Sequence, residues 1–116
     1  MLFLYIKNAA FQGGKMLIEF SIVPLGYGSS IGDSVADVLK IVDASGLPYK
    51  INPMGTVIEG EWDEVMKIVM KCHMTVMKKG ERVLTDIKID DRKDMPNRID
   101  AKVKSIERRI GKPLKK

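Results

Sequence analysis

Pro53-Met54-Gly55-Thr56-Val57-Ile58-Glu59-Gly60-Glu61-Trp62 joins the two halves of this chain and holds its least generic residues. Pro53 fixes φ and Gly55 is free to take a positive φ, so Pro-Met-Gly reads as a tight turn between two strands. Residues 56–58 are β-branched and read as extended. Glu59 interrupts a strand that otherwise looks buried, and Gly60 beside it suits a bulge or a close backbone approach. Trp62, Asp63 and Glu64 open a helix, with the acids where the helix N-terminus favours them. A carboxylate in such a glycine-flanked strand is either a ligand group or a member of a buried ion pair, with Arg82 or Arg92 as candidate partners.

Downstream, the helix is expected over residues 62–79. Trp62, Val65, Val69, Cys72 and Val76 keep the 3–4 spacing of one stripe, and Met66, Met70, Met74 and Met77 widen it. The methionines read as adaptable core or oligomer packing. Lys78-Lys79-Gly80 is a helix-end signature. His73, the one histidine, stands beside Cys72; neighbours on a helix point about 100° apart, so they form no dyad and His73 reads as a surface or capping residue. Residues 82–90 alternate as a strand. Asn97 can cap a last helix with Ile99, Val103, Ile106 and Ile110 on one side, ended by Gly111 and Pro113.

Upstream, residues 49–52 form a short strand. Val35, Val38, Leu39 and Val42 make a helical stripe that starts at a cap on Asp33 or Ser34 and stops at Gly46 and Pro48. The loop before it, residues 24–32, has three glycines and two serines and offers backbone donors and hydroxyls, but lacks the lysine of a P-loop. Residues 17–23 alternate, with Ile18, Phe20 and Ile22 on one face and Leu17, Glu19, Ser21 and Val23 on the other. Residues 1–15 look foreign to this pattern and are expected to be an appended arm or a mis-set start ahead of Met16, leaving residues 16–116 as the domain.

The order strand, helix, strand, strand, helix, strand, with an added C-terminal helix, predicts an α+β fold: the ferredoxin-like split βαβ sandwich. Two helices then cover one face of a four-stranded antiparallel sheet. The other face, carrying Glu19, Ser21 and in one reading Glu59 or Asp86, needs a cover, which predicts self-association.

A chain of 116 residues is one domain. Its single cysteine excludes an internal disulfide and fits a reducing cytoplasm, and no apolar run reaches the roughly 20 residues of a membrane span. The net charge of +5 sits at the ends. From residue 102 onward there are seven bases and one acid, and residues 1–15 carry two bases and no acid, leaving eleven bases against fourteen acids between. The body is mildly acidic, and the strands lack the aromatics of an RNA-recognition sheet, so nucleic-acid binding is not expected beyond a weak contact through the basic last helix. One histidine and one cysteine supply neither a metal site nor a nucleophile–base pair. A small-molecule binding module is therefore expected rather than an enzyme. A semi-buried carboxylate in it favours a cationic ligand. A structural or regulatory oligomer that binds a partner protein through its sheet face is the alternative.

Residues Ile22-Val-Pro24-Leu-Gly26, Tyr49, Pro53-Met-Gly55-Thr56-Val-Ile-Glu59-Gly60, Gly80-Glu-Arg82-Val and Ile87-Lys-Ile89-Asp-Asp-Arg92 together resemble the thiamine-binding protein family of small ferredoxin-like domains. The resemblance spans residues 16–109. It implies a cytoplasmic homo-oligomer, a tetramer built as a dimer of dimers, that binds thiamine or its hydroxymethylpyrimidine part at a subunit contact without catalysis, cofactor or metal. The positions carried over by motif are Pro24, Gly26, Ser29 or Ser30, Met54, Gly55, Thr56 and Glu59; by their chemistry, Glu59 is expected to face the aminopyrimidine or the thiazolium charge, and Thr56 and Ser21 to bond ring nitrogens.

Overall fold

The computed structural model describes residues 15–26, 31–93 and 98–116. Within them the chain runs β1 (Met16–Leu25), α1 (Ile31–Ala44), β2 (Tyr49–Asn52), β3 (Gly55–Gly60), α2 (Trp62–Met77), β4 (Arg82–Asp90) and α3 (Arg98–Ile110). The strands form one antiparallel sheet in the order β2-β3-β1-β4, the ferredoxin-like arrangement expected from the element order. Two strand–helix–strand units place β1 and β3 at its centre.

Alternation along β1 decides what each face carries. Met16, Ile18, Phe20 and Ile22 are buried against the helices, and with Ile58, Val38, Val42, Val65, Val69, Cys72 and Val76 they form the core. Each such side chain contributes about 1.5–3 kcal/mol by leaving water. α1 and α2 lie side by side over this face. The Cys72 thiol donates to the Val38 carbonyl at 3.7 Å, and Lys79, just past the end of α2, pairs with Asp37 at the middle of α1 at 2.6 Å. Burial pushes the Cys72 thiol up to about 11.

The opposite face is partly roofed by α3. Lys50 on β2 pairs with Asp100 at 2.7 Å, and Asp90 on β4 pairs with Lys102, so the helix is tied to both edge strands. The apolar stripe predicted for it turns toward the sheet only in part: Ile106 and Ile110 remain exposed. Asn97, expected as its cap, lies outside the described residues.

Several local expectations change. Gly55 does not adopt a positive φ. Its reason is proximity: a Cβ there would stand 2.9 Å from the Phe20 carbonyl oxygen. At Gly60 a Cβ would lie 2.9 Å from Val65 Cγ2 and 3.0 Å from Leu47 Cδ1, while the β1–β3 register runs unbroken from Met16↔Gly60 to Phe20↔Thr56. Close approach therefore holds and the bulge does not. α1 begins at Ile31, so Asp33 and Ser34 lie in its first turn and neither is the cap. The buried stripe runs through Ser34, Val38 and Val42, and Val35 is left exposed. Among the described residues the buried Ser34 hydroxyl has no hydrogen-bond partner.

On α2 the buried stripe is Val65, Val69, Cys72 and Val76, as its spacing indicates. The helix ends at Met77, two residues short of the expected end. Met70 and Met74 are exposed, so they are not core within one copy. His73 is neither a free surface residue nor a cap: its Nδ1 lies 2.6 Å from Thr85 Oγ1 and ties α2 to β4.

Candidate functional site

The turn between β2 and β3 consists of Pro53 and Met54 between the paired residues Asn52 and Gly55. The Asn52 carbonyl oxygen Oδ1 accepts the Met54 N–H at 3.0 Å, and Asn52 Nδ2 donates to Glu19 Oε2 at 3.4 Å. Proline presets the turn and asparagine holds it by a side-chain bond to the backbone, local chemistry that the sequence encodes directly. The second bond reaches across to β1 and orients a carboxylate on the sheet face opposite α1 and α2.

Beside this turn the protein has a hollow of about 210 Å³, bounded by Phe20, Ser21, Met54, Gly55 and Thr56 and by Val35 and Leu39 of α1. A second hollow of about 300 Å³ adjoins it through Phe20, Ser21 and Met54 and is lined further by Glu19, Asp86 and Lys88. The first hollow is apolar and lies on the helix-covered side, against α1, and the second is charged and lies on the opposite face of the sheet, with Phe20, Ser21 and Met54 as shared walls. Register accounts for the charged hollow: Glu19 lies opposite Lys88 and Ser21 opposite Asp86, so all four share one face. Met54, 84% exposed, stands at the lip on a flexible thioether side chain.

Four of the expected site residues therefore come together: Ser21, Met54, Gly55 and Thr56. Glu59 does not join them. It is buried and lies opposite Leu17, which places it on the sheet face away from α1 and α2, about 13 Å along β1 from Ser21 at roughly 3.3 Å per residue. Of the two arginines offered as its ion-pair partner, Arg82 sits opposite Leu25 at the far end of the sheet, while Arg92 follows Asp90, which lies opposite Leu17 as Glu59 does. Pro24 and Gly26 lie at the end of β1 beyond Ser21, and Gly26 takes a φ of 73°. Ser29 and Ser30 lie outside the described residues. Sequence reasoning passed over Glu19 as a ligand group, although it had the right face; Asp86 likewise becomes part of the charged hollow only through the β1–β4 register. Among the described residues no group of three or more His, Cys, Asp or Glu could hold a metal ion, and no helix is long and apolar enough to cross a membrane.

A ferredoxin-like sandwich with two adjoining hollows at one hairpin, one apolar and one lined by charged groups, fits a small-molecule-binding domain. The chain belongs to the thiamine-binding protein family, whose profile matches residues 18–107. It is 40% identical over 92 residues to the UPF0045 protein MJ1052 of Methanocaldococcus jannaschii, covering 79% of this chain and 92% of that one. It is 34% identical over 100 residues to the UPF0045 protein YqgV of Bacillus subtilis, covering 81% and 96%. The crystal structure of MJ1052 superposes with a TM-score of 0.74 over 79% of this chain and 95% of that chain. The crystal structure of a putative thiamine biosynthesis/salvage protein from Thermotoga maritima, 22% identical, shares the fold with a TM-score of 0.69 over 79% and 98%.

Proposed function

We propose that this protein binds thiamine, or its hydroxymethylpyrimidine part, in the paired hollow at the β2–β3 turn and does not transform it. The observation that carries the reading is that the two hollows share Phe20, Ser21 and Met54 as walls at the hairpin. Ser21 and Met54 border both, so one ligand can lay an aromatic ring against Val35 and Leu39 while a positive charge faces Glu19 and Asp86. Thiamine has that division, an aminopyrimidine joined to a cationic thiazolium. The Ser21 and Thr56 hydroxyls supply hydrogen bonds for ring nitrogens. The absent Cβ at Gly55 leaves the turn close to the β1 backbone.

We propose further that the protein acts as a homo-oligomer, a tetramer arranged as a dimer of dimers. Val23 and Leu84, opposite each other on the sheet face that α1 and α2 do not cover, are 36% and 48% exposed and give a second copy apolar surface to cover.

Titration calorimetry decides the ligand. Thiamine and hydroxymethylpyrimidine are expected to give saturable heats. Glu19→Gln is expected to weaken thiamine about tenfold while changing the uncharged pyrimidine far less, since only the thiazolium carries the charge. A folded protein that gives no heat with either compound ends this reading. Equilibrium sedimentation at a fourfold chain mass is the expected result for the assembly.

A further inference from the structure

A separate cleft of about 470 Å³ lies between α3 and the sheet. Its apolar walls are Val57 on β3, Val103 and Ile106 on α3, and Leu114 on the tail that follows α3. Glu107 folds that tail back: its Oε2 accepts the Leu114 N–H at 2.7 Å and pairs with Lys116 Nζ at 3.0 Å. Leu114 thereby becomes a third wall rather than a loose end. The charged residues lining the cleft are all of one sign: Lys50, Lys102, Lys115 and Lys116, with no carboxylate among the lining residues.

Three of these lysines already have acids outside the cleft, namely Asp100, Asp90 and Glu107. Their side chains are about half exposed, at 48%, 48% and 50%, so the pairs are weak and readily exchanged. Lys115 forms no ion pair among the described residues. A cationic group entering here meets four ammonium groups among the described lining side chains, and the acids at the rim are already engaged by three of them. An anionic head meets one uncommitted ammonium and three that can turn to it, while an alkyl chain fills the apolar walls.

We infer that this cleft binds a single anionic amphiphile, an alkyl or acyl chain ending in a carboxylate or phosphate. The site is distinct from the hollow at the β2–β3 turn and takes the opposite charge.

Decanoate is the probe, with decanol and decyltrimethylammonium as charge controls, titrated calorimetrically into the full chain. Decanoate is expected to bind one per chain and more tightly than either control, with thiamine present or absent. Lys115→Glu, a change at an exposed side chain, is expected to weaken decanoate at least fivefold, the effect of losing and reversing one partly exposed charge. Val103→Trp, which fills the cleft, is expected to remove most of the binding, with circular dichroism confirming the fold. Vesicles of phosphatidylglycerol separate one bound molecule from a lipid surface. Co-sedimentation with vesicles undiminished by Val103→Trp would overturn the inference. So would equal binding of decyltrimethylammonium, decanoate binding indifferent to both substitutions, or no binding of decanoate by the folded protein. Failure of thiamine to bind would leave all these outcomes as they are.

Discussion

The two faces of the sheet are made by alternate residues of the same strands, yet they have opposite characters. On the helix-covered face Phe20 is 2% exposed, Ile18 1% and Ile58 fully buried. On the other face Val23 and Leu84 are 36% and 48% exposed, among Glu19, Lys88 and Asp86. The first face supplies stability. The second is free to carry charge, hollows and contact surface, because no part of the core depends on it.

The largest effect expected from this contrast is at Phe20. Phe20→Ala should cost about 3–5 kcal/mol in urea unfolding, a cavity cost, whereas Lys88→Ala at an exposed position on the other face should stay within about 0.5 kcal/mol. Equal costs would break the division. Gly55→Ala tests the boundary between the faces. The Phe20 carbonyl oxygen would stand 2.9 Å from the new Cβ, so a strand must shift, at about 1–3 kcal/mol by the same measurement. Ser34→Ala should go the other way, neutral or stabilising by up to about 1 kcal/mol, because it removes a buried hydroxyl that has no partner among the described residues.

The smallest effect is on the exposed ion pairs, and its sign follows from their pKa shifts. A hydrogen bond from Lys79 holds Asp37 below its ordinary value, and one from Lys50 does the same for Asp100. The Leu114 N–H, then Lys116, lowers Glu107. Each contribution is therefore present above the ordinary carboxylate pKa and is lost as pH falls through the lowered value. A mild loss of thermal stability below about pH 4 is expected, reduced in Lys50→Ala and by added salt. Stability that rose with acidification would contradict these assignments.

Much of the fold was legible in the residues. The 3–4 spacing through Val65, Val69, Cys72 and Val76 and the alternation of Ile18, Phe20 and Ile22 each reflect one periodicity, and the elements appear where those periods run. Gly46, at a φ of 76°, ends α1 as its sequence signature says. Less of the site was legible. Glu59 drew attention as a carboxylate among glycines, but what surrounds a strand residue depends on which strand lies beside it and how far that strand is offset. The start of α1 also moved, because a cap is a matter of backbone geometry and Asp33 serves equally well as a first-turn acid.

By itself the sequence determined the order of strands and helices, the residues able to form a core, and the turn chemistry of Asn52-Pro53-Met54-Gly55, since these depend on near neighbours and local periods. Only the tertiary structure decided that Glu19 and Asp86 share a hollow with Ser21 and Met54 while Glu59 lies elsewhere, and that α3 leaves a lysine-rimmed cleft above the sheet. Strand register and helix placement are set by contacts between segments far apart in the chain, and those contacts bring side chains together at distances no local pattern records.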